Sequence, residues 1–143
     1  MPKMTTLVLL QLLHLAGATR QRPALSAADA LAERAHGFVR ETWRQLRDSR
    51  EVARALDVST DYLRHAFRQR FRMTLHDLLT QLRIEHAQYL LGNSVVPQKA
   101  IVTICGFADV QQFSRRFSQV VGVAPGAYRK RLAGRLACGK IKP

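Results

Sequence analysis

Two segments of the chain place arginine, histidine and glutamine at positions their apolar neighbours leave free. In the first, Leu63, Phe67 and Phe71 repeat every four residues and so share one face of a helix. The positions facing away from them hold Asp61, Arg64, His65 and Arg68. In the second, Phe113 and Phe117 set the inner face and leave Val110, Gln111, Ser114, Arg115 and Ser118 outside. An arginine fork can bond guanine O6 and N7 together, and a glutamine amide can pair with adenine N6 and N7. Taken one at a time, the same side chains would be an ordinary solvated helix face. Their place in a larger unit decides between the two.

Other constellations carry less. The five histidines (His14, His36, His65, His76, His86) and two cysteines (Cys105, Cys138) show no metal-ligand spacing, so neither a metal nor a cofactor is expected. Glu85 beside His86 and His76 beside Asp77 resemble acid–base pairs only on paper, because helix neighbours point to different faces. No glycine-rich phosphate loop and no nucleophile elbow occurs. An enzyme is not expected. Cys105 falls at an apolar position, and Trp43 and Phe38 read as packing groups.

The elements that must position the two outward faces are helices throughout, since no run alternates with period two. A helix from about 29 to 47 would bury Ala30, Ala35, Phe38, Val39, Trp43 and Leu46. Asp48 or Ser49 can cap a short helix with Val52, Ala53 and Leu56 inward, and Ser59 caps the next. Thr74 opens a longer helix, 75–91, whose inner residues are Leu75, Leu78, Leu79, Leu82, Ala87, Leu90 and Leu91, stopped by Gly92-Asn93-Ser94. Pro97 suits the first turn of a short helix burying Ile101, Ile104 and Cys105. Asp109 caps a helix closed by Gly122, and Pro125 opens a last one to about Arg135.

Half of this plan repeats the other half. Val52, Ala53, Leu56 and Val58 recur 49 positions later as Ile101, Val102, Cys105 and Phe107. Leu63, Phe67 and Phe71 recur 50 positions later as Phe113, Phe117 and Val121. Each copy is a short helix, a tight turn and a longer helix, the helix-turn-helix unit. The expected fold is all-α: two helix-turn-helix subdomains joined by a long linking helix. Residues 26–95 would hold the first subdomain and the linking helix, and residues 96–135 the second.

Composition points to a polyanionic partner. The 143 residues carry 23 Lys+Arg against 10 Asp+Glu, a net charge of +13, with 47% hydrophobic residues. That hydrophobic share is enough to build a core and excludes a disordered basic tail. Nucleic acid and an anionic membrane surface both fit the charge. Two cysteines are too few for a disulfide framework, which favours a reducing compartment.

The downstream copy carries a specific resemblance. Gly106-Phe107-Ala108-Asp109, Phe113-Ser114-Arg115-Arg116-Phe117, Gly122-Val123-Ala124-Pro125 and Tyr128-Arg129 are similar to the second helix-turn-helix of the AraC/XylS family of bacterial transcription regulators. Val52-Ala53, Ser59, Leu63 and Phe67-Arg68 resemble that family's first unit, and the match covers about residues 30–131. It implies sequence-specific binding to double-stranded promoter DNA, with two recognition helices in successive major grooves, and often activation through RNA polymerase. The family's base-facing positions fall on Asp61, Arg64 and His65, then on Val110, Gln111, Ser114 and Arg115, with Arg68 placed to meet phosphate. A cytoplasmic, nucleoid-associated protein is implied. Departures are clear too: Asp57 and Arg72 stand where the family usually has Gly, and Gln98 and Val102 where it usually has an aliphatic residue and Ala. Ala124 replaces the usual Thr cap before Pro125.

The ends lie outside this match. Residues 1–18 have a basic start, an apolar run from Leu7 to Leu15 and Ala16-Gly17-Ala18, the outline of a short signal peptide. The arginine-rich body that follows favours a self-association helix over residues 4–18, like the closing dimerisation helix of a sensor domain. Residues 1–25 are thus expected to be an apolar helix and linker, and 136–143 a flexible tail. The rival reading is a basic helical protein that binds anionic membrane surface or coats nucleic acid without sequence preference.

Overall fold

Serine, threonine and aspartate caps cut the chain into its helices. The computed structural model describes residues 24–138, with side chains described through residue 135. Helix α1 (Ala27–Thr42) opens at Ser26, whose hydroxyl accepts from the Asp29 amide at 3.1 Å. It buries Leu31, Ala32, Ala35 and Val39. The helix is shorter than its periodicity predicts. The Thr42 hydroxyl donates back to the Phe38 carbonyl at 2.6 Å, and the Gln45 amide turns onto the Thr42 carbonyl. Leu46 still reaches the core, by way of that turn rather than a helix face.

Helix α2 (Ser49–Ala55) starts at Asp48, which accepts from the amides of Arg50 and Glu51. Helix α3 (Thr60–Phe71) starts at Ser59, which accepts from Tyr62 N. Helix α4 (Leu75–Asn93) begins in a reciprocal cap: Thr74 Oγ1 accepts from the Asp77 amide, and the Asp77 carboxylate accepts from the Thr74 amide. Helix α5 (Gln98–Ile104) follows Pro97, and α6 (Val110–Val121) is capped by Asp109, which accepts from Gln112 N at 2.7 Å. Helix α7 (Pro125–Cys138) is the last. The described residues are all helical in their regular elements.

The Gly92-Asn93-Ser94 stop holds: α4 runs through Asn93 and closes at an extended Ser94. A Cβ on Gly92 would lie 2.8 Å from Leu132 Cδ1, so glycine there lets α7 come close. Ile104, expected inside, is 52% exposed, while Ile101, Val102 and Cys105 fill the core. A two-turn helix presents only a narrow inward face, and 101, 102 and 105 occupy it.

The buried side chains form two clusters that meet on α4. Leu75, Leu78, Leu79 and Leu82 belong with α1–α3 around Phe67. Ile84, Ala87 and Leu91 belong with Ile101, Val102, Cys105, Phe113 and Phe117. The change of allegiance falls between Leu82 and Ile84. Phe67, Phe113 and Phe117 are fully enclosed, and truncating any one to alanine removes about 3–5 kcal/mol of stability. Their burial fixes the roll of α3 and α6, and with it the residues each helix turns outward.

Candidate nucleic-acid interface

On α3, Asp61, Arg64, His65 and Arg68 all stand exposed on the side away from Leu63, Ala66 and Phe67. Arg64 Nη2 donates to Asp61 Oδ1 at 2.5 Å, with both side chains mostly in solvent. A pair this exposed is worth little. Its guanidinium can therefore exchange that carboxylate for another acceptor. From the other side, Arg70 Nη2 reaches Glu33 Oε1 on α1 at 2.9 Å and ties the helix to its support.

On α6, Val110, Gln111 and Arg115 are exposed. Ser114 is half-buried, and its hydroxyl accepts from Gln98 Nε2 at 3.4 Å. The sequence placed Ser114 and Ser118 outside without qualification; both are partly covered, Ser114 by the approach of Gln98 on α5. Gln112 is not free either. Its side-chain oxygen accepts from the Ala108 amide at 3.1 Å while its own amide donates to Asp109. That clasp holds the start of α6, while Gln111 beside it stays exposed.

The two units are held by left-handed residues at matching places. Asp57 (φ 55°) and Gly106 (φ 78°) make the tight turns, and Arg72 (φ 57°) and Gly122 (φ 86°) close the two longer helices. Two arginines that sequence reasoning gave no role act as braces. Arg129 donates to the carbonyls of Leu91 and Val96, joining α7 to the segment after α4. Arg83 donates to the Leu46 carbonyl at 2.8 Å. Their partners are backbone carbonyls, which leave no signal in residue type.

The remaining titratable groups lie elsewhere. Burial against Trp43, with the Arg44 charge adding to it, holds His86 below the ordinary histidine value. Burial pushes the Cys105 thiol up to about 11 despite Arg83 and Arg44 nearby, so it stays protonated at neutral pH. Among the described residues no three of His, Cys, Asp and Glu gather as metal ligands. Nor is any helix among them long and apolar enough to cross a membrane.

Two helix-turn-helix units with helices of equal length, sharing α4 and each presenting the outer face of its second helix, match a known family. Residues 52–131 match the model of a helix-turn-helix domain. The chain belongs to the AraC/XylS family of DNA-binding transcription regulators, which are not enzymes. Over 69 residues it is 46% identical to the HTH-type transcriptional activator RhaR of Klebsiella pneumoniae, a stretch covering 48% of this chain and 25% of that protein. The chain thus spans about a quarter of the length of that relative. The C-terminal domain of AraT, a response regulator from Geobacillus stearothermophilus, superimposes with TM-score 0.66 at 28% identity, covering 76% of this chain and 88% of that one. The DNA-binding domain of the global transcriptional factor AdpA, solved with a target DNA, gives TM-score 0.66 at 25% identity over 73% and 94%.

Proposed function

We propose that this protein binds a specific double-stranded promoter site through α3 and α6, each in one of two successive major grooves, and thereby activates transcription. One observation carries the reading. Both second helices bury their phenylalanines completely and turn Arg64 and His65, or Gln111 and Arg115, to solvent, on units fixed to one shared helix. The site consists of Asp61, Arg64, His65 and Arg68 on α3 with Val110, Gln111, Ser114 and Arg115 on α6. Arg115 and Gln111 read base edges, while Arg68 meets phosphate and positions the first unit. Activation is taken from the RhaR relatives, and target-DNA binding is supported by the AdpA domain. Residues 26–95 and 96–135 act as the two reading units under this proposal. Contact with RNA polymerase, self-association through residues 4–18 and a nucleoid location are its further parts; residues 4–18 lie outside the described residues.

Selection from a randomised duplex pool tests it. The expected product is two short conserved blocks whose centres lie about one helical turn, 10–10.5 base pairs, apart. Recovery of duplexes without any common sequence would favour nonspecific coating and overturn the reading.

A further inference from the structure

Arg83 stands at the seam of the molecule. Its neighbour Leu82 packs in the first cluster and its neighbour Ile84 in the second. Among the described residues, no helix of the first unit other than α4 packs extensively on a helix of the second. A cleft remains between them, with the α1–α2 connection (Trp43, Leu46, Arg47) on one wall and the α5–α6 turn (Cys105, Gly106) on the other. Arg83 spans this cleft. Its Nη2 donates to the Leu46 carbonyl at 2.8 Å and lies 3.4 Å from that of Arg47, both in the first unit. The same guanidinium lies flat beneath Gly106 in the second unit, where a Cβ would sit 3.3 Å from Nε and 3.4 Å from Cζ. Glycine at 106 is favoured by its left-handed backbone, and a Cβ there would press on the Arg83 guanidinium.

A continuous helix alone is a compliant joint, since long helices bend and side chains across a cleft decide how far. From this we infer that Arg83 is a positioning residue that sets the angle between the two helix-turn-helix units, and hence the spacing of half-sites the protein accepts. The inference rests on the two-groove reading above. Two rigidly related modules bind as one only when the DNA matches their fixed separation, and stiffness converts into selectivity for that separation. Arg83 touches no DNA in this account. Its effect is carried through the carbonyls of the first unit and the turn of the second.

The test compares wild type with Arg83→Met, which keeps the aliphatic stem without donors, and Arg83→Lys. Residual dipolar couplings on the full chain report the geometry directly. Wild-type couplings from α1–α3 and α5–α7 should fit one alignment tensor. In Arg83→Met each unit should still fit its own tensor while the two tensors diverge. In parallel, duplexes selected by the wild-type chain are rebuilt with one base pair added or removed between the half-sites. Arg83→Met should lose on the order of tenfold in affinity for the native spacing and far less for the altered ones, flattening the preference. Arg83→Lys, with a single point donor, should recover part of it. A single shared tensor and an unchanged spacing preference in a folded Arg83→Met would overturn the inference. Should Arg83→Met fail to fold, a folded Arg83→Ala variant that retains one tensor and the native spacing preference would overturn it equally. If wild type selects no paired half-sites, the two-groove reading fails while the couplings still decide the role of Arg83.

Discussion

Arg72 and Gly122 close equivalent helices in equivalent left-handed conformations, at φ 57° and 86°. The second is at ease there, and the first is not, because a Cβ crowds the following carbonyl by about 1–2 kcal/mol. Arg72→Gly should therefore stabilise the protein by about 1 kcal/mol, the gain reduced by the added freedom of the unfolded chain. Asp57→Gly should gain less, since aspartate tolerates this region. Gly122→Ala is the control: a Cβ there meets nothing within 4 Å, so its loss isolates the backbone contribution. Urea unfolding of the three variants checks the order. A destabilised Arg72→Gly would mean that the arginine side chain outweighs its strained backbone.

Those residues also mark how far the fold was legible beforehand. The 49- and 50-residue repeat of Val52, Ala53, Leu63 and Phe67 in Ile101, Val102, Phe113 and Phe117 exposed both units, because core packing demands residue types at fixed periods. The caps at Ser59, Thr74 and Asp109 were legible for the same local reason. The end of α1 was not, since a hydroxyl returning to a carbonyl four residues back leaves no change in hydrophobic period. Ile104 misled because its spacing with Ile101 and Cys105 fits one helix face as well as the set Ile101, Val102 and Cys105 that the core takes. Gln112 and Arg83 were missed because both serve backbone groups. Which outward side chain meets a base depends on a partner whose sequence is written elsewhere.

The cap at the start of the linking helix should make stability sensitive to acid. Hydrogen bonds from the Thr74 hydroxyl and amide hold the Asp77 carboxyl below its ordinary value of 3.8. A carboxyl with a lowered folded value contributes stability that is complete above the unfolded value and lost as pH falls through the folded one. Asp77→Ala should cost about 1 kcal/mol at pH 7, and the difference from wild type should shrink below pH 4. Unfolding curves at pH 7, 4 and 3 measure it. A constant difference across that range would show that the cost does not come from the charge of the Asp77 carboxylate.

Cys105 gives the opposite sign at the alkaline end. Its folded value of about 11 lies above the ordinary 9.0, so the protonated thiol favours the fold. That contribution is intact below pH 9 and is lost as pH rises toward 11. At pH 8 iodoacetamide should label Cys105 far more slowly in native protein than in urea, by peptide mapping that separates it from Cys138. Cys105→Ala should flatten the loss of stability above pH 9 while lowering stability at neutral pH. Rapid native labelling would show that the second core opens more readily than its packing implies.

Under the proposed function, α3 and α6 divide the work by how their arginines are placed. Arg115 is exposed one residue past Ser114, on a helix whose roll is locked by two fully buried phenylalanines. Arg68 lies a turn beyond Arg64 toward the C-terminal end of α3, and the proposed reading assigns it the groove wall rather than the base edges. Arg115→Ala should cost about 1–3 kcal/mol in binding and relax preference at one position of the site. Arg68→Ala should weaken all duplexes alike and lower the salt slope by about one unit. Arg64 begins from its pair with Asp61, so Arg64→Ala should cost less than Arg115→Ala by the worth of that exposed pair, about 0.5 kcal/mol. Titrations against a library of single-base variants at two salt concentrations distinguish these effects. If Arg115→Ala keeps the wild-type preference at every base, α6 is not a reading helix, and its outward face serves phosphate alone.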